Sequence, residues 1–188
     1  MNLLKIVFPL IGFSSGSLMF SLWLGRLRGV DIREVGDGNP GAVNAFRAAG
    51  LLIGGLGLLF DFLKGMLPVG IGFWHLHLKG ILLVLLILAP VLGHAFSPFL
   101  QFRGGKALAV TFGVWSGITL WQVPVFLGAM LIITRFVFRL KKEAICVAIT
   151  MICLPIFVYL VYRSLPLLFA ALGNSAIVCY KHHRELLI

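Results

Sequence analysis

The sequence predicts an all-α fold: a polytopic membrane bundle of about seven transmembrane helices, formed as a single domain over residues 1–188. Three observations predict it. Composition comes first. Hydrophobic residues make up 60% of the chain and charged residues 12%, against about half and about a quarter in a soluble globule. The mean hydropathy of +1.06 removes a soluble enzyme and a disordered chain from consideration. Second, the apolar residues fall into runs near the roughly 20 residues that a bilayer-crossing helix needs. Third, the net charge of +10 sits mostly between those runs, where basic cytoplasmic loops place it. That placement argues against nucleic acid as the partner.

The first span covers residues 3–25. Only Lys5 precedes its apolar stretch, and a motif-rich loop follows, so it reads as a retained helix rather than a signal peptide. A loop runs from Arg26 to about Ala49. The second and third spans cover residues 50–74 and 80–100, and a short polar loop, 101–106, follows. Residues 107–134 are apolar throughout. At 1.5 Å per residue they would make about 42 Å of helix, too long for one comfortable span. Charge decides the case. Arg103 and Lys106 precede this stretch; Arg135, Arg139, Lys141 and Lys142 follow it. Two short helices turning near 121–124 keep both clusters on one side of the membrane. The sixth and seventh spans cover residues 144–162 and 165–180.

This arrangement puts the N-terminus outside and the C-terminus in the cytoplasm. Arg26, Arg28, Arg33, Arg47, Lys181 and Arg184 then join the loop cations inside, leaving Lys5, Lys79 and Arg163 outside and Lys64 within a span. Trp74, Trp121 and Tyr162 fall at span ends, where interfacial aromatics anchor. Cys146, Cys153 and Cys179 lie in apolar runs without metal-ligand spacing and read as small hydrophobes.

Several polar residues exceed what a plain bundle needs. In the first loop Gly36, Gly38 and Gly41 alternate with Asp37, Asn39 and Asn44, ahead of Arg47. Glycines let backbone N–H groups approach an anion, and a guanidinium forks onto phosphate. In the third loop Gly104 and Gly105 sit between Arg103 and Lys106 just before a helix, a plausible anion site. Each run, taken alone, also reads as an ordinary loop. The tail carries His182 and His183, able to bind phosphate or move a proton, or simply to form a basic stop after the last span. Asp61 and Lys64 share a helix face inside the second span and read as a structural ion pair. His94 reads as a support for the loop after the third span, and His75 and His77 as boundary residues.

The chain lacks a GxSxG elbow, a HExxH helix and a paired-cysteine site. It also has no histidine followed five residues later by aspartate: Phe99 stands there after His94. What remains is a cationic, glycine-rich set suited to phosphate groups at a membrane surface, with no metal or cofactor expected.

Five runs occur in order: VGDGNPGAVNAFR (35–47), LFDFLKG (59–65), GHAFSPF (93–99), FRGGK (102–106) and HRE (183–185). Together they resemble the bacterial acyl-phosphate:glycerol-3-phosphate acyltransferase family over nearly the whole chain. The resemblance implies an enzyme of the bacterial cytoplasmic membrane that transfers an acyl group from acyl phosphate to the 1-hydroxyl of glycerol 3-phosphate. The products are lysophosphatidic acid and phosphate, the active site faces the cytoplasm, and an acyl-phosphate-supplying enzyme is an expected partner. Matched position by position, Arg47 and Lys106 hold phosphate and Gly104 and Gly105 supply backbone donors. Gly38, Asn39, Gly41 and Asn44 form the first-loop scaffold. His183 lies near glycerol 3-phosphate, with His182 favoured instead if the tail slips by one. Asp61, Lys64 and His94 are structural support. The chain departs from the family at Asp37 (usually Ser), Val43 (usually Thr) and Leu186 (usually Asn), and lacks a further Arg after the tail motif. The proton of the reacting hydroxyl goes to His183 or to the acceptor's own phosphate. Two other readings stay open: a small transporter or flippase with a cytoplasmic anion site, and a non-catalytic homologue.

Overall fold

The computed structural model describes residues 3–187, apart from the side chains of Arg184, Leu186 and Leu187. Among the described residues the fold is all-helical: α1 (Leu3–Ser17), α2 (Phe20–Leu27), α3 (Ala42–Gly70), α4 (Gly80–Ala95), α5 (Leu108–Thr119), α6 (Gln122–Ile132), α7 (Glu143–Tyr162) and α8 (Leu165–Leu187). π-helical turns extend α3 over Ile71–His75 and α6 over Ile133–Val137. Among the described residues four helical runs are long and apolar enough to cross a membrane: Leu3–Leu27, Ala42–His75, Gly80–Leu100 and Glu143–Tyr162; α5 and extended α6 are apolar but shorter.

The packing follows from the apolar faces. α3 lies along α5, α1 along α4, and α7 along α8, with α4 closing against α8. Leu86, Ile87, Trp115, Met151 and Leu154 fill the interior, while Leu51, Ile81, Ile152, Ile156 and Leu160 face outward. An apolar exterior is what a bundle immersed in hydrocarbon requires, since each helix satisfies its own backbone groups.

The predicted elements hold in outline and need three corrections. The first span breaks after Ser17, at Leu18 and Met19. Carbonyls freed at that break need donors. Ser97 Oγ donates to Ser17 O at 2.7 Å, and Lys64 Nζ donates to Leu18 O. The break is thus where a buried lysine from α3 and a buried serine from the turn after α4 dock. Second, residues 42–49, expected as loop, are helical. They join the rest of α3 across Gly50, whose φ of 83° and ψ of −179° bend the helix. Third, α8 continues through the tail to Leu187, so tail residues are arranged on helix faces. Residues 107–134 do form two helices, reversing at Leu120 and Trp121.

The ends of the bundle differ. At one end Trp74 Nε1 donates to Gly117 O at 2.9 Å, tying α3 to α5, and Tyr162 bonds Gln122. The first loop, the 101–107 loop and the end of α8 meet at the other. Lys181 Nζ donates there to Ala95 O (2.9 Å) and Gly104 O (2.8 Å).

Candidate active site

A cavity of about 150 Å³ opens where the two loops meet α8. Its lining includes Asp37, Asn39, Gly41, Arg47, Asp61, His94, Lys106, Glu143 and His182. Arg47 and Lys106, distant in sequence, therefore face one space. Leu58, Leu108 and Ala109 belong both to this cavity and to an adjoining apolar groove of about 510 Å³ between α3 and α5, completed by Gly55, Leu59, Phe62 and Phe112. The result is a polar chamber opening onto a hydrocarbon-compatible slot.

Local interactions build the chamber from the first loop inward. Asp31 caps a 3-10 turn, Ile32–Glu34, by accepting from the Arg33 N–H at 3.1 Å. It also binds the Arg33 side chain at 2.6 Å and Arg26 at 3.3 Å. Hydrogen bonds from Arg33 hold the Asp31 carboxyl well below the usual range, against the opposing effect of burial. Arg26 and Arg33 are thereby committed to shaping the loop. Asn44 Nδ2 donates to Asp37 Oδ1 (2.8 Å) and to Asn39 O (3.0 Å). Arg47 Nη1 donates to Asn44 Oδ1 at 3.4 Å. Gly36, at φ 61°, lies so close to Asn44 and Arg47 that a Cβ would sit 2.6 Å from each side chain. Positive φ and close approach together demand glycine there.

Lys106 occupies the centre of the charge network. Its Nζ lies 2.5 Å from Asp37 Oδ2 and also pairs with Glu185. Burial depresses the ammonium's affinity for its proton, but the two carboxylates outweigh it and hold Lys106 above the ordinary lysine value. Burial likewise pushes the Asp37 carboxyl up, yet Lys106, the Asn39 N–H and Asn44 bring it down to about 2. Asp37 thus pairs with Lys106 rather than with Arg33 or Arg47.

Asp61 and His94, which border the chamber, belong to a second polar cluster that extends into the bundle. Lys64 Nζ is 2.7 Å from Asp61 Oδ1, and both side chains are only 2% exposed. Ser21 Oγ donates to Asp61 Oδ2 at 2.8 Å. His94 Nδ1 lies 3.9 Å from Asp61 Oδ1. These residues couple α2, α3 and α4.

The expected site residues do not all gather around the cavity. Arg47, Lys106, Asn39 and Gly41 line it; Asn44 supports it from behind. Gly38 does not line it and donates its N–H to Val35 O at 3.2 Å as part of a turn. Gly104 and Gly105 are also absent from the lining, and Gly105 N–H donates to His94 O at 3.0 Å. That donor is spent inside the protein. The two glycines instead let the loop lie on the backbone of α4, since a Cβ on either would overlap His94. His183 is the remaining correction. It is exposed, with Nδ1 against Tyr180 O and its ring stacked on Tyr180 at 5.2 Å. His182 is buried and lines the cavity instead. Val43 lines the cavity as well; the side chain of Leu186 lies outside those described.

Glu143, Glu185 and Lys181 were not singled out as site residues by sequence. One signal was present for the first two: acidic residues number only 6, so each one in a basic membrane chain has reason to be partnered. Lys181 gave none beyond belonging to a basic tail.

Comparison with known proteins places this geometry. Residues 6–187 match the family described as glycerol-3-phosphate acyltransferase. The chain is 38% identical to glycerol-3-phosphate acyltransferase 1 of Thermotoga maritima, covering 94% of this chain and 93% of the relative. It is 34% identical to glycerol-3-phosphate acyltransferase of Thermosipho melanesiensis, covering 95% and 86%. Among solved structures it resembles the integral membrane glycerol 3-phosphate acyltransferase PlsY (YgiH). With the glycerol 3-phosphate form the TM-score is 0.88 at 28% identity, over 97% of this chain and 90% of that one. With the lysophosphatidic acid form the TM-score is 0.87 at 27% identity. A match spanning almost the whole chain, joined to a multi-pass helical architecture, makes the protein a member of the glycerol-3-phosphate acyltransferase family.

Proposed function

We propose that the protein transfers a fatty acyl group from acyl phosphate to the 1-hydroxyl of glycerol 3-phosphate, releasing lysophosphatidic acid and inorganic phosphate. The observation that carries this reading is the junction of the two compartments at Leu58, Leu108 and Ala109. The polar chamber suits phosphate and the α3–α5 groove suits an acyl chain. A molecule with an apolar tail and a phosphate head fits across the junction with its reactive carbonyl between them.

Two phosphate-bearing substrates held side by side repel each other. Arg47 and Lys106 offset that repulsion and stabilise negative charge as the acyl C–O bond to phosphate breaks. The leaving phosphate is already a good leaving group, so the site's task is chiefly positioning. The acceptor's own phosphate takes the hydroxyl proton, a role that asks for no dedicated carboxylate base. Seven membrane traverses, an external N-terminus and a site on the cytoplasmic face of a bacterial plasma membrane accord with the basic residues clustered in the site-end loops. An enzyme that makes acyl phosphate is the partner this donor requires. In this reading the transporter alternative loses weight, because the polar side chains cluster at one end rather than along a path through the bundle.

The test uses the purified full chain in detergent with palmitoyl phosphate and glycerol 3-phosphate, followed for lysophosphatidic acid by mass spectrometry. Turnover with acyl phosphate and none with palmitoyl-CoA is expected. Product from acyl-CoA alone would overturn the donor, and no product from either would overturn catalysis.

A further inference from the structure

Besides the α3–α5 slot, another groove borders the chamber. Its volume is about 400 Å³, it lies between the end of extended α6 and the start of α7, and it shares Leu108 and Glu143 with the chamber lining. We propose that this groove holds a phospholipid of the surrounding bilayer that carries one negative charge on its head, with the phosphodiester against Arg135 and Lys141.

The groove has a place for both ends of such a molecule. Leu131, Ile132, Phe136, Cys146 and Val147 make its apolar wall, which suits the upper part of an acyl chain. The α3–α5 slot is lined by apolar residues and a glycine alone, so it takes a tail whose head sits in the chamber. The α6–α7 groove carries its own cations and takes tail and head together.

Arg135 is set for that head. It stands in the π-helical turn Ile133–Val137, and its Nη1 donates to Leu140 O at 2.8 Å and to Lys141 O at 2.6 Å. These bonds use both Nη1 protons and fix the guanidinium against the loop. Nε and Nη2 have no hydrogen-bond partner among the described residues. Those two nitrogens form the fork edge that matches two oxygens of one phosphate. Lys141 is exposed and lines the same groove. Its backbone carbonyl, not its ammonium, holds Arg135.

Charge selects the occupant. Two cations and the Glu143 carboxylate leave the groove one net positive charge, the complement of a phosphodiester. A phosphate monoester, as in lysophosphatidic acid, brings about −1.5 to −2. Glu143 also belongs to the wall shared with the chamber, where it repels an anion crossing between the two. The groove is therefore filled from the bilayer rather than from the chamber.

Native mass spectrometry of the detergent-purified full chain tests this, with separate titrations of phosphatidylglycerol, phosphatidylcholine and lysophosphatidic acid. We expect one phosphatidylglycerol to bind about tenfold more tightly than phosphatidylcholine, the scale of one hydrogen bond or ion contact to a charged group. Lys141→Gln leaves the carbonyls that fix Arg135 and should weaken phosphatidylglycerol about tenfold on the same scale. Arg135→Lys keeps the charge without the fork and should weaken it several-fold. Arg139→Gln and Lys142→Gln remove charge from the same loop at positions outside the groove lining and should bind like wild type. The proposal is overturned if phosphatidylcholine binds as tightly, if Lys141→Gln or Arg135→Lys binds like wild type, or if Arg139→Gln and Lys142→Gln lose as much. Lysophosphatidic acid that binds more tightly than phosphatidylglycerol, and loses that affinity in Lys141→Gln, would give the groove to the reaction product and overturn it too. None of these readouts involves turnover, so they decide the groove's occupant whether or not the chain transfers an acyl group.

Discussion

Two lysines in this protein face carboxylates, and their surroundings give them opposite roles. Lys64 and Asp61 sit between helices, each 2% exposed, with Nζ also held by the Leu18 carbonyl. Lys106 and Asp37 sit at the cavity mouth, 19% and 33% exposed, with Glu185 as a second carboxylate. Asp61 borders the cavity, but Lys64 spends its Nζ on Asp61 and the Leu18 carbonyl, so exchanging the inner pair's partners means breaking contacts that tie helices together. In the proposed reading the outer pair, partly exposed at the cavity, exchanges a protein carboxylate for a substrate phosphate. Burial separates a charge pair that fixes helices from one that is available for chemistry.

The inner pair offers the largest expected effect. Asp61→Asn leaves Lys64 charged and buried without its counter-ion, a change that costs about 3–5 kcal/mol in protein interiors. Thermal unfolding in detergent should show a large drop in Tm or no folded protein. Asp61→Asn combined with Lys64→Met should regain much of that loss, because the uncompensated charge is gone. An Asp61→Asn protein of normal Tm that is catalytically dead would merge the two clusters into one functional unit and break the distinction.

The outer pair should respond in activity rather than stability. Arg47→Ala and Lys106→Ala are each expected to lower turnover about a hundredfold or more, the scale of losing one charge-stabilising contact at a reacting centre. Neither should move Tm by more than a few degrees, because exposed ion pairs contribute little to folding. Turnover close to wild type in both variants would remove them from the site. A collapse of Tm in Lys106→Ala would instead make Lys106 a structural lysine like Lys64.

The same contrast explains how much of the molecule was legible in its sequence. Apolar run lengths and the distribution of lysine and arginine gave the helices, including the reversal at Leu120 and Trp121, because both are local or additive signals. The first-loop and third-loop cations were legible through residue type alone. The break at Leu18 was not. Its free carbonyls are taken up by Lys64 of α3 and Ser97 of the turn after α4, and nothing in residues 3–25 announces those partners. Backbone hydrogen bonding hid the role of Gly105: a glycine next to a lysine before a helix resembles an anion site until its N–H is found on His94 O. The choice between His182 and His183 turned on which face of α8 points inward, which depends on the tail being helical at all. The side-chain chemistry was readable at the level of type, while the direction in which each group points was set by tertiary contacts.

The smallest effect concerns Asp37, and it tests whether the outer pair is truly exchangeable. Its folded-state pKa of about 2 lies below the ordinary 3.8. The stabilisation from its charge is therefore fully present above 3.8 and is lost only as pH falls through about 2. Across any neutral working range Asp37 stays ionised, and in the proposed reading it competes with substrate phosphate for Lys106. Asp37→Asn keeps hydrogen-bonding capacity toward Asn39 and Asn44 while removing the competing charge. It should lower KM for glycerol 3-phosphate several-fold, the scale of a partly exposed ion pair, leave the shape of the neutral pH–rate profile unchanged, and approach wild type as salt screens the competition. A raised KM in Asp37→Asn would show the carboxylate positioning Lys106 for substrate rather than competing with it, and the exchange that distinguishes the outer pair from the inner one would then have to begin at Glu185.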